Sequence, residues 1–255
     1  MGTVKILKDA EAVAVAAAAY LTERIKTAVG STGAAFVTLS GGRSPQRLYE
    51  CLADDVGPWR SQIDWSRLYL LWSDERHVPP NHPESNFGMA ERALLRHVPI
   101  PASQIHRIPS EQPDASGAAR AYEHRLRTAF AAAGRCDTTC DVRLLGLGED
   151  AHIASVFRDS SLLDSTPGAE IAAAVWAPHL NAWRITLTPA AIVDSRAILM
   201  IATGAAKAAA VQASLEGVAD VRRFPAQLLR IVDDRVTWMI DQAAAALLCR
   251  GGRHA

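Results

Sequence analysis

Short apolar, β-branched runs alternate with helix-forming stretches along this 255-residue chain, and that alternation restricts its fold more than any other feature. AAFVTLS (34–40), WSRLYLLWS (65–73), residues 141–147, WRITLT (183–188), RAILMIAT (196–203) and VTWMI near the end have the length and composition of strands. Between them lie helical stretches. Residues 9–29 have Asp9 as N-cap and stop at Gly30; SPQRLYECLA has Ser44 placed to cap and Pro45 at the first helical position. Residues 86–97 and 115–133, the GAAKAAAVQASLEG segment and a closing QAAAALL complete the set. Strands that are apolar on both sides need cover on both faces, so the expected architecture is α/β: one three-layer α/β/α domain over 1–255 with a mostly parallel sheet. No repeat or linker divides the chain, and residues 250–255 read as a flexible tail.

A chain this long buries about three quarters of its unfolded surface, so its core needs no disulfide or metal staple. Lys plus Arg and Asp plus Glu both number 27, so no global field favours nucleic acid or an anionic membrane, and any anionic ligand must be caught by local groups. Cys51, Cys136, Cys140 and Cys249 are too few and too scattered for a disulfide framework, and the C-x3-C pair has no second ligand pair nearby, so no metal is expected. The alanine-rich N-terminus follows Asp9 and Glu11 and lacks the build of a signal peptide, and no apolar run approaches the ~18 residues that span a bilayer. The expected compartment is the cytoplasm.

Polar motifs stand at the ends of the strands, where open parallel sheets gather ligands. Ser40-Gly41-Gly42-Arg43-Ser44-Pro45 joins a strand to a helix: two glycines let the backbone approach a ligand, and the helix start adds partial positive charge, so the motif is an anion cradle or an ordinary turn. Asp74-Glu75-Arg76 follows the next strand into a polar, proline-rich loop, with Asp74 and Arg76 able to face the same way and Asn86 able to extend a polar wall. Residues 144–157, LLGLGEDAHIASVF, break from an apolar run into two glycines, two carboxylates and a histidine before a turn to helix. There His152 suits acid–base chemistry, with Asp150 near enough in sequence to orient it; a satisfied structural histidine is the alternative. Arg184 opens ITLT, and Lys207 lies in the first turn of a helix, where a cation makes sense if it answers an anion.

Gly146-x-Gly148-x-x-Ala151 formally matches a dinucleotide fingerprint, but Glu170, the acidic residue at the required distance, lies in a segment that reads poorly as the second strand of such a unit. There is no G-x-S-x-G elbow, no H-E-x-x-H and no P-loop. What remains is metal-free acid–base work on a phosphorylated ligand.

Taken in order, TLSGGRSPQRLYE, LLWSDERHVPPNHPESNFGMA, LLGLGEDAHIASVF, WRITLT and the GAAKA segment resemble the 6-phosphogluconolactonase family, within the group that also holds glucosamine-6-phosphate deaminases. The resemblance implies a Rossmann-like domain, no cofactor, and hydrolysis of 6-phosphogluconolactone in the pentose phosphate pathway, with a sugar-phosphate lactone as the partner; the oligomeric state is left open by the sequence, a monomer being slightly favoured. It also implies roles. Ser40, Gly41, Gly42 and Arg43 form the phosphate cradle with Arg184 and Lys207 as clamps; His152 is the general base beside Asp150; Asp74 and Arg76 line the sugar end. Two positions depart from the family, Ala151 where it has glycine and Arg158 where it has proline. A deaminase would carry a glutamate shortly after the histidine, yet this chain has Ser155-Val156-Phe157-Arg158. A sugar-phosphate sensor without turnover is the non-enzymatic alternative.

Overall fold

The computed structural model describes residues 2–164 and 170–249, so the tail at 250–255 lies outside the described residues. Its strands are β1 (Thr3–Leu7), β2 (Ala35–Leu39), β3 (Leu68–Trp72), β4 (Asp74–Arg76), β5 (Ile105–His106), β6 (Val142–Gly146), β7 (Ala172–Ala177), β8 (Ala182–Leu187), β9 (Ile198–Ala202) and β10 (Val236–Asp241). Its α-helices are α1 (Ala10–Thr32), α2 (Arg43–Ala53), α3 (Asn86–Ala93), α4 (Ala115–Ala132), α5 (Pro189–Val193) and α6 (Ala208–Leu215). Seven strands form one parallel sheet in the order β1-β10-β9-β6-β2-β3-β5. Every residue of β2 and β9 is buried, as strands covered on both faces must be. Helix α1 packs on α2 and α2 on α3, while α4 packs against β7 and β8.

From β2 the chain runs through α2 to β3 on one side, whereas from β6 it moves to β9 on the other. The neighbouring strands β2 and β6 therefore flank the switch point, where loops diverge and leave a crevice at the carboxyl ends. Two buried tyrosines pin the rim. Tyr49 Oη accepts from Ser40 N (2.9 Å) and donates to Ser40 O (2.8 Å), and Tyr122 Oη does the same to Trp72 N and O (2.8 and 2.7 Å).

Several local expectations need correction. The parallel sheet is joined by a second, antiparallel sheet, β4-β8-β7, so WRITLT is not one of its strands and Asp74-Glu75-Arg76 is a strand rather than the start of a loop. Helix α1 continues past Gly30 and ends at Gly33, the residue with φ 80°. Asp9 caps it as expected, accepting from Ala12 N at 2.9 Å. Ser44 does not cap α2: Gly42, at φ 106°, is the N-cap, Ser44 lies inside the helix, and its Oγ is 2.6 Å from Thr203 Oγ1. Residues after His152 form turns and an isolated Ile153–Val156 bridge, not a helix. The closing helix is likewise absent, because the buried Asp241 carboxylate takes Ala244 N (2.7 Å) and Gly204 N (2.9 Å) and folds residues 242–248 into turns.

All four cysteines are free thiols, and no cluster of His, Cys, Asp and Glu able to hold a metal occurs among the described residues. No helix among them is long and apolar enough to cross a membrane.

Candidate active site

At the crevice the two glycine turns meet. A Cβ at Gly146 would lie 3.7 Å from Gly41 O and 3.9 Å from Ser40 Oγ, so the gap between the β2 and β6 loops has room for one methyl group and little more. The glycines have different reasons for being there. At Gly41 a Cβ would come within 1.9 Å of Asn86 Oδ1, so a protein side chain, rather than a ligand, occupies the space that glycine vacates. Gly42 needs its φ of 106° to turn the chain into α2, whose first amides face the crevice. Ser40 contributes less backbone than the cradle expectation held, because its N–H already donates to Tyr49.

The β6 loop delivers His152. A Cβ at Gly148 would sit 2.1 Å from His152 Nδ1, so the ring folds back over this glycine. Gly148 N donates to His152 O (2.9 Å) and closes the turn. His152 Nδ1 is 2.6 Å from Asp150 Oδ1, which confirms the placement inferred from their spacing. This bond is the main reason the Asp150 carboxyl is held down at about 2, so it is ionised at neutral pH. With Nδ1–H donated to a carboxylate, Nε2 is left with the lone pair. The ring also tilts onto Phe157, with centroids 4.9 Å apart. Ala151 takes φ 65°, the left-handed region that the family's glycine would enter freely, and the space around it is fully enclosed.

The cations fall into two groups. Arg76 and Arg184 are directly opposite one another across the β4–β8 ladder, and residues so paired project to the same face. Burial chiefly, and then Arg76, holds the Arg184 guanidinium below its ordinary value, with Asp74 and Glu84 opposing. Two like charges side by side and half desolvated are a liability unless an anion joins them. Arg76 also donates to Glu84 O at 2.5 Å. Lys207 lies in a 3-10 turn (Ala205–Lys207) leading into α6, and Gly204 before it takes φ 91°. Burial lowers the Lys207 ammonium, Arg43 adds to that, and Glu149 and Asp150 oppose it. The structure thus groups Lys207 with Arg43 and the Asp150 loop, and Arg184 with Arg76.

Asp74 and Arg76 face the same way, as expected, but Asp74 is buried and both its carboxylate oxygens are occupied: Oδ2 by Ser155 Oγ (2.7 Å) and Oδ1 by Asn86 Nδ2 (3.2 Å). Glu75, pointing the other way, accepts from Arg76 N, Asn86 N, Phe87 N and Ser85 Oγ at 2.7–3.0 Å and so anchors the start of α3. Burial raises its carboxyl against the pull of those four bonds. Ser155, Tyr49 and Asp241 were not singled out from sequence. Only the bonds they make across distant segments mark them, and no local pattern carries that information.

The dinucleotide reading finds no support in this geometry. No helix follows the Gly146–Gly148 turn, and Glu170 leads into β7 of the antiparallel sheet rather than a neighbour of β6.

The crevice at the parallel-sheet switch point, with its carboxylate-held histidine and two pairs of cations, has the make-up of an acid–base site for an anionic ligand, and sequence comparison gives the family. The chain belongs to the glucosamine-6-phosphate isomerase/6-phosphogluconolactonase family, whose model matches residues 8–238. It is 37% identical over 251 residues to a 6-phosphogluconolactonase of Mycobacterium tuberculosis, covering 96% of this chain and 98% of that one. It is 38% identical over 248 residues to a 6-phosphogluconolactonase of Streptomyces coelicolor, with 95% and 93% covered. Among solved structures, the 6-phosphogluconolactonase of Trypanosoma brucei superposes with a TM-score of 0.83 at 27% identity, covering 98% and 99% of the two chains. A monomeric glucosamine-6-phosphate deaminase at 22% identity shares the fold, with a TM-score of 0.78.

Proposed function

We propose that this chain hydrolyses 6-phospho-D-glucono-1,5-lactone to 6-phospho-D-gluconate, the lactonase step of the pentose phosphate pathway, using His152 as general base. The observation that carries the mechanism is the His152–Asp150 bond of 2.6 Å at the mouth of the crevice. It holds the ring with Nε2 outward and offsets the positive charge that forms when Nε2 takes a proton.

The substrate phosphate sits over Gly41, Gly42 and the first turn of α2, with the Ser40 side chain, Arg43 and Lys207 closing on it, while Arg184, expected from the sequence as a third clamp, stands with Arg76 at the lactone end. Fixing that dianion places the ring carbonyl near His152. Nε2 removes a proton from water as the water oxygen attacks the lactone carbonyl. The C–O bond to the ring oxygen then breaks, that oxygen takes the proton back from the imidazolium, and the carboxylic acid so formed loses its remaining proton to solvent to give the carboxylate. Arg76 stabilises the oxyanion and then the product carboxylate. Asp74 supports this end of the site from beneath rather than meeting the lactone, since its oxygens are already bonded. The four free thiols fit a reducing, cytoplasmic setting.

The test is turnover of freshly generated lactone above its spontaneous hydrolysis, for the wild type and His152→Ala. We expect kcat/KM to fall on the order of 100-fold or more in the variant. Near wild-type turnover in His152→Ala would refute the base assignment, and release of ammonia from glucosamine 6-phosphate would favour the deaminase. Binding of 6-phosphogluconate without any turnover would favour the sensor.

A further inference from the structure

We infer that Ser155 is a positioning residue for this hydrolysis, holding the His152 loop against the strand pair that presents Arg76 and Arg184. The inference rests on the lactonase reading with His152 as base.

The loop needs such an anchor. Between β6 and residue 160 it has no helix and no ladder beyond the Ile153–Val156 bridge. Its backbone is closed by Gly148 N to His152 O, Ala151 N to Gly148 O, Val156 N to Ile153 O and Ser160 N to Phe157 O, all within the loop; Ala226 N to Ala151 O and Asp159 N to Arg222 O tie it outward, and Ile153 and Val156 are buried, but none of these bonds reaches the strands that carry the arginines. Ala151 and Ala154, on either side of His152, take φ 65° and 48°. Two alanines in the left-handed region persist only where the surroundings impose them.

Ser155 supplies that constraint from the side of the arginines. It is 1% exposed. Its Oγ donates to Asp74 Oδ2 at 2.7 Å and its N–H donates to Thr186 Oγ1 at 3.2 Å. Asp74 and Thr186 are partners across the β4–β8 ladder, and the next pair on the same face is Arg76 with Arg184. One residue therefore grips both strands one step from the arginines and three positions from His152. The remaining oxygen of Asp74 extends the same network: Asn86 Nδ2 donates to it, and the Asn86 carboxamide fills the space beside Gly41. Base loop, arginine pair and anion cradle are tied together through Asp74, and Ser155 is the arm that reaches the base.

A side chain that merely satisfies a buried carboxylate would alter stability and leave turnover per folded molecule alone. A positioning residue alters kcat. A misplacement of about 1 Å at a reacting group costs on the order of 100-fold. For Ser155→Ala we therefore expect kcat to fall about 10- to 100-fold, with KM for the lactone within about threefold and the shape of the pH–rate profile kept, because His152 is still the base. Ser155→Cys, which keeps a weak donor, should recover part of the loss, and Asp74→Asn, able to bond both neighbours, should lose less than Asp74→Ala. If Ser155→Ala does not fold, the Cys variant and the Asp74 pair give the same readout.

Ser155→Ala with kcat within twofold of wild type would overturn the inference. So would a rise in KM at constant kcat, which would place Ser155 in substrate binding, or equal loss in Asp74→Asn and Asp74→Ala, which would make Asp74 a reacting group. A wild type without turnover, or an active His152→Ala, would instead sink the reading on which the inference rests.

Discussion

Replacing Asp150 by asparagine should weaken both the fold and the reaction, and the two effects should respond differently to pH. In the structure the carboxyl is moved from 3.8 to about 2, chiefly by its hydrogen bond to His152. Each unit is worth about 1.36 kcal/mol, so the shift sets an upper limit of roughly 2.4 kcal/mol. The Asp150 side chain is 47% exposed, and solvent screening reduces the stabilisation to about 1 kcal/mol. Because the folded value lies below the unfolded one, this stabilisation is fully present above about pH 4 and fades as pH falls toward 2, with about half left at pH 3. Urea unfolding of wild type and Asp150→Asn should therefore differ by about 1 kcal/mol at pH 7, and the gap should narrow steadily between pH 4 and pH 3. The kinetic effect belongs at neutral pH. Asparagine accepts a hydrogen bond from Nδ1–H but cannot offset the imidazolium charge, and its amide can turn its NH2 toward the ring, so kcat should drop on the order of 100-fold. A stability gap unchanged from pH 7 to pH 3, or a variant with wild-type kcat, would refute the role given to the His152–Asp150 bond.

Two further substitutions test the balance of forces around the site. Ala151→Gly releases about 1–2 kcal/mol of left-handed strain but gives up a buried methyl worth about 0.8 and adds about 0.4–1 of unfolded-chain entropy, so thermal unfolding should show a change within about 1 kcal/mol. A loss of about 1.2–1.8 kcal/mol, the sum of the other two contributions, would mean that the φ of 65° carries little strain. Arg143, on β6, is 3% exposed; its Nε donates to Ser195 Oγ at 2.8 Å, and Nη1 has no partner among the described protein groups. Burial holds this guanidinium below its ordinary value. Arg143→Met removes a buried charge that no carboxylate among the described residues pairs directly, and should be neutral or raise stability by about 1–3 kcal/mol; a clear fall in Tm would show that the charge is compensated.

How far the sequence reveals this architecture depends on where each element draws its stability. β2, β3, β6, β9 and β10 are apolar because both of their faces are covered, so composition alone discloses them, and the polar turns at the ends of β2 and β6 disclose the crevice. The antiparallel sheet was hidden for the opposite reason. β4 is DER, with no apolar residue, and β7 is AAAVWA, in a segment where alanine argues for helix; both are strands because β8 lies between them and supplies a ladder on each side. That sheet matters for chemistry, since it sets Arg76 opposite Arg184 and puts Asp74 and Thr186 within reach of Ser155.

The site shows the same division. His152 with Asp150 was legible because the two are close in the chain, whereas the place of Gly42 as N-cap of α2, with φ 106°, was not, because Ser44 is the stronger capping residue by type. By its neighbours in the chain Gly41 makes room for a ligand; in the fold it makes room for Asn86, a residue 45 positions away. Ser155 and Asp74 are 81 apart, and each is unremarkable alone. Local pattern therefore locates the groups that do the chemistry, whereas the groups that hold them in register act through long-range hydrogen bonds that only the folded chain brings into being. In such a site the first set should tolerate no substitution that removes a titratable group. The second should tolerate any that keeps the bond, and the Asp74→Asn and Asp74→Ala pair separates the two behaviours in a single measurement of kcat.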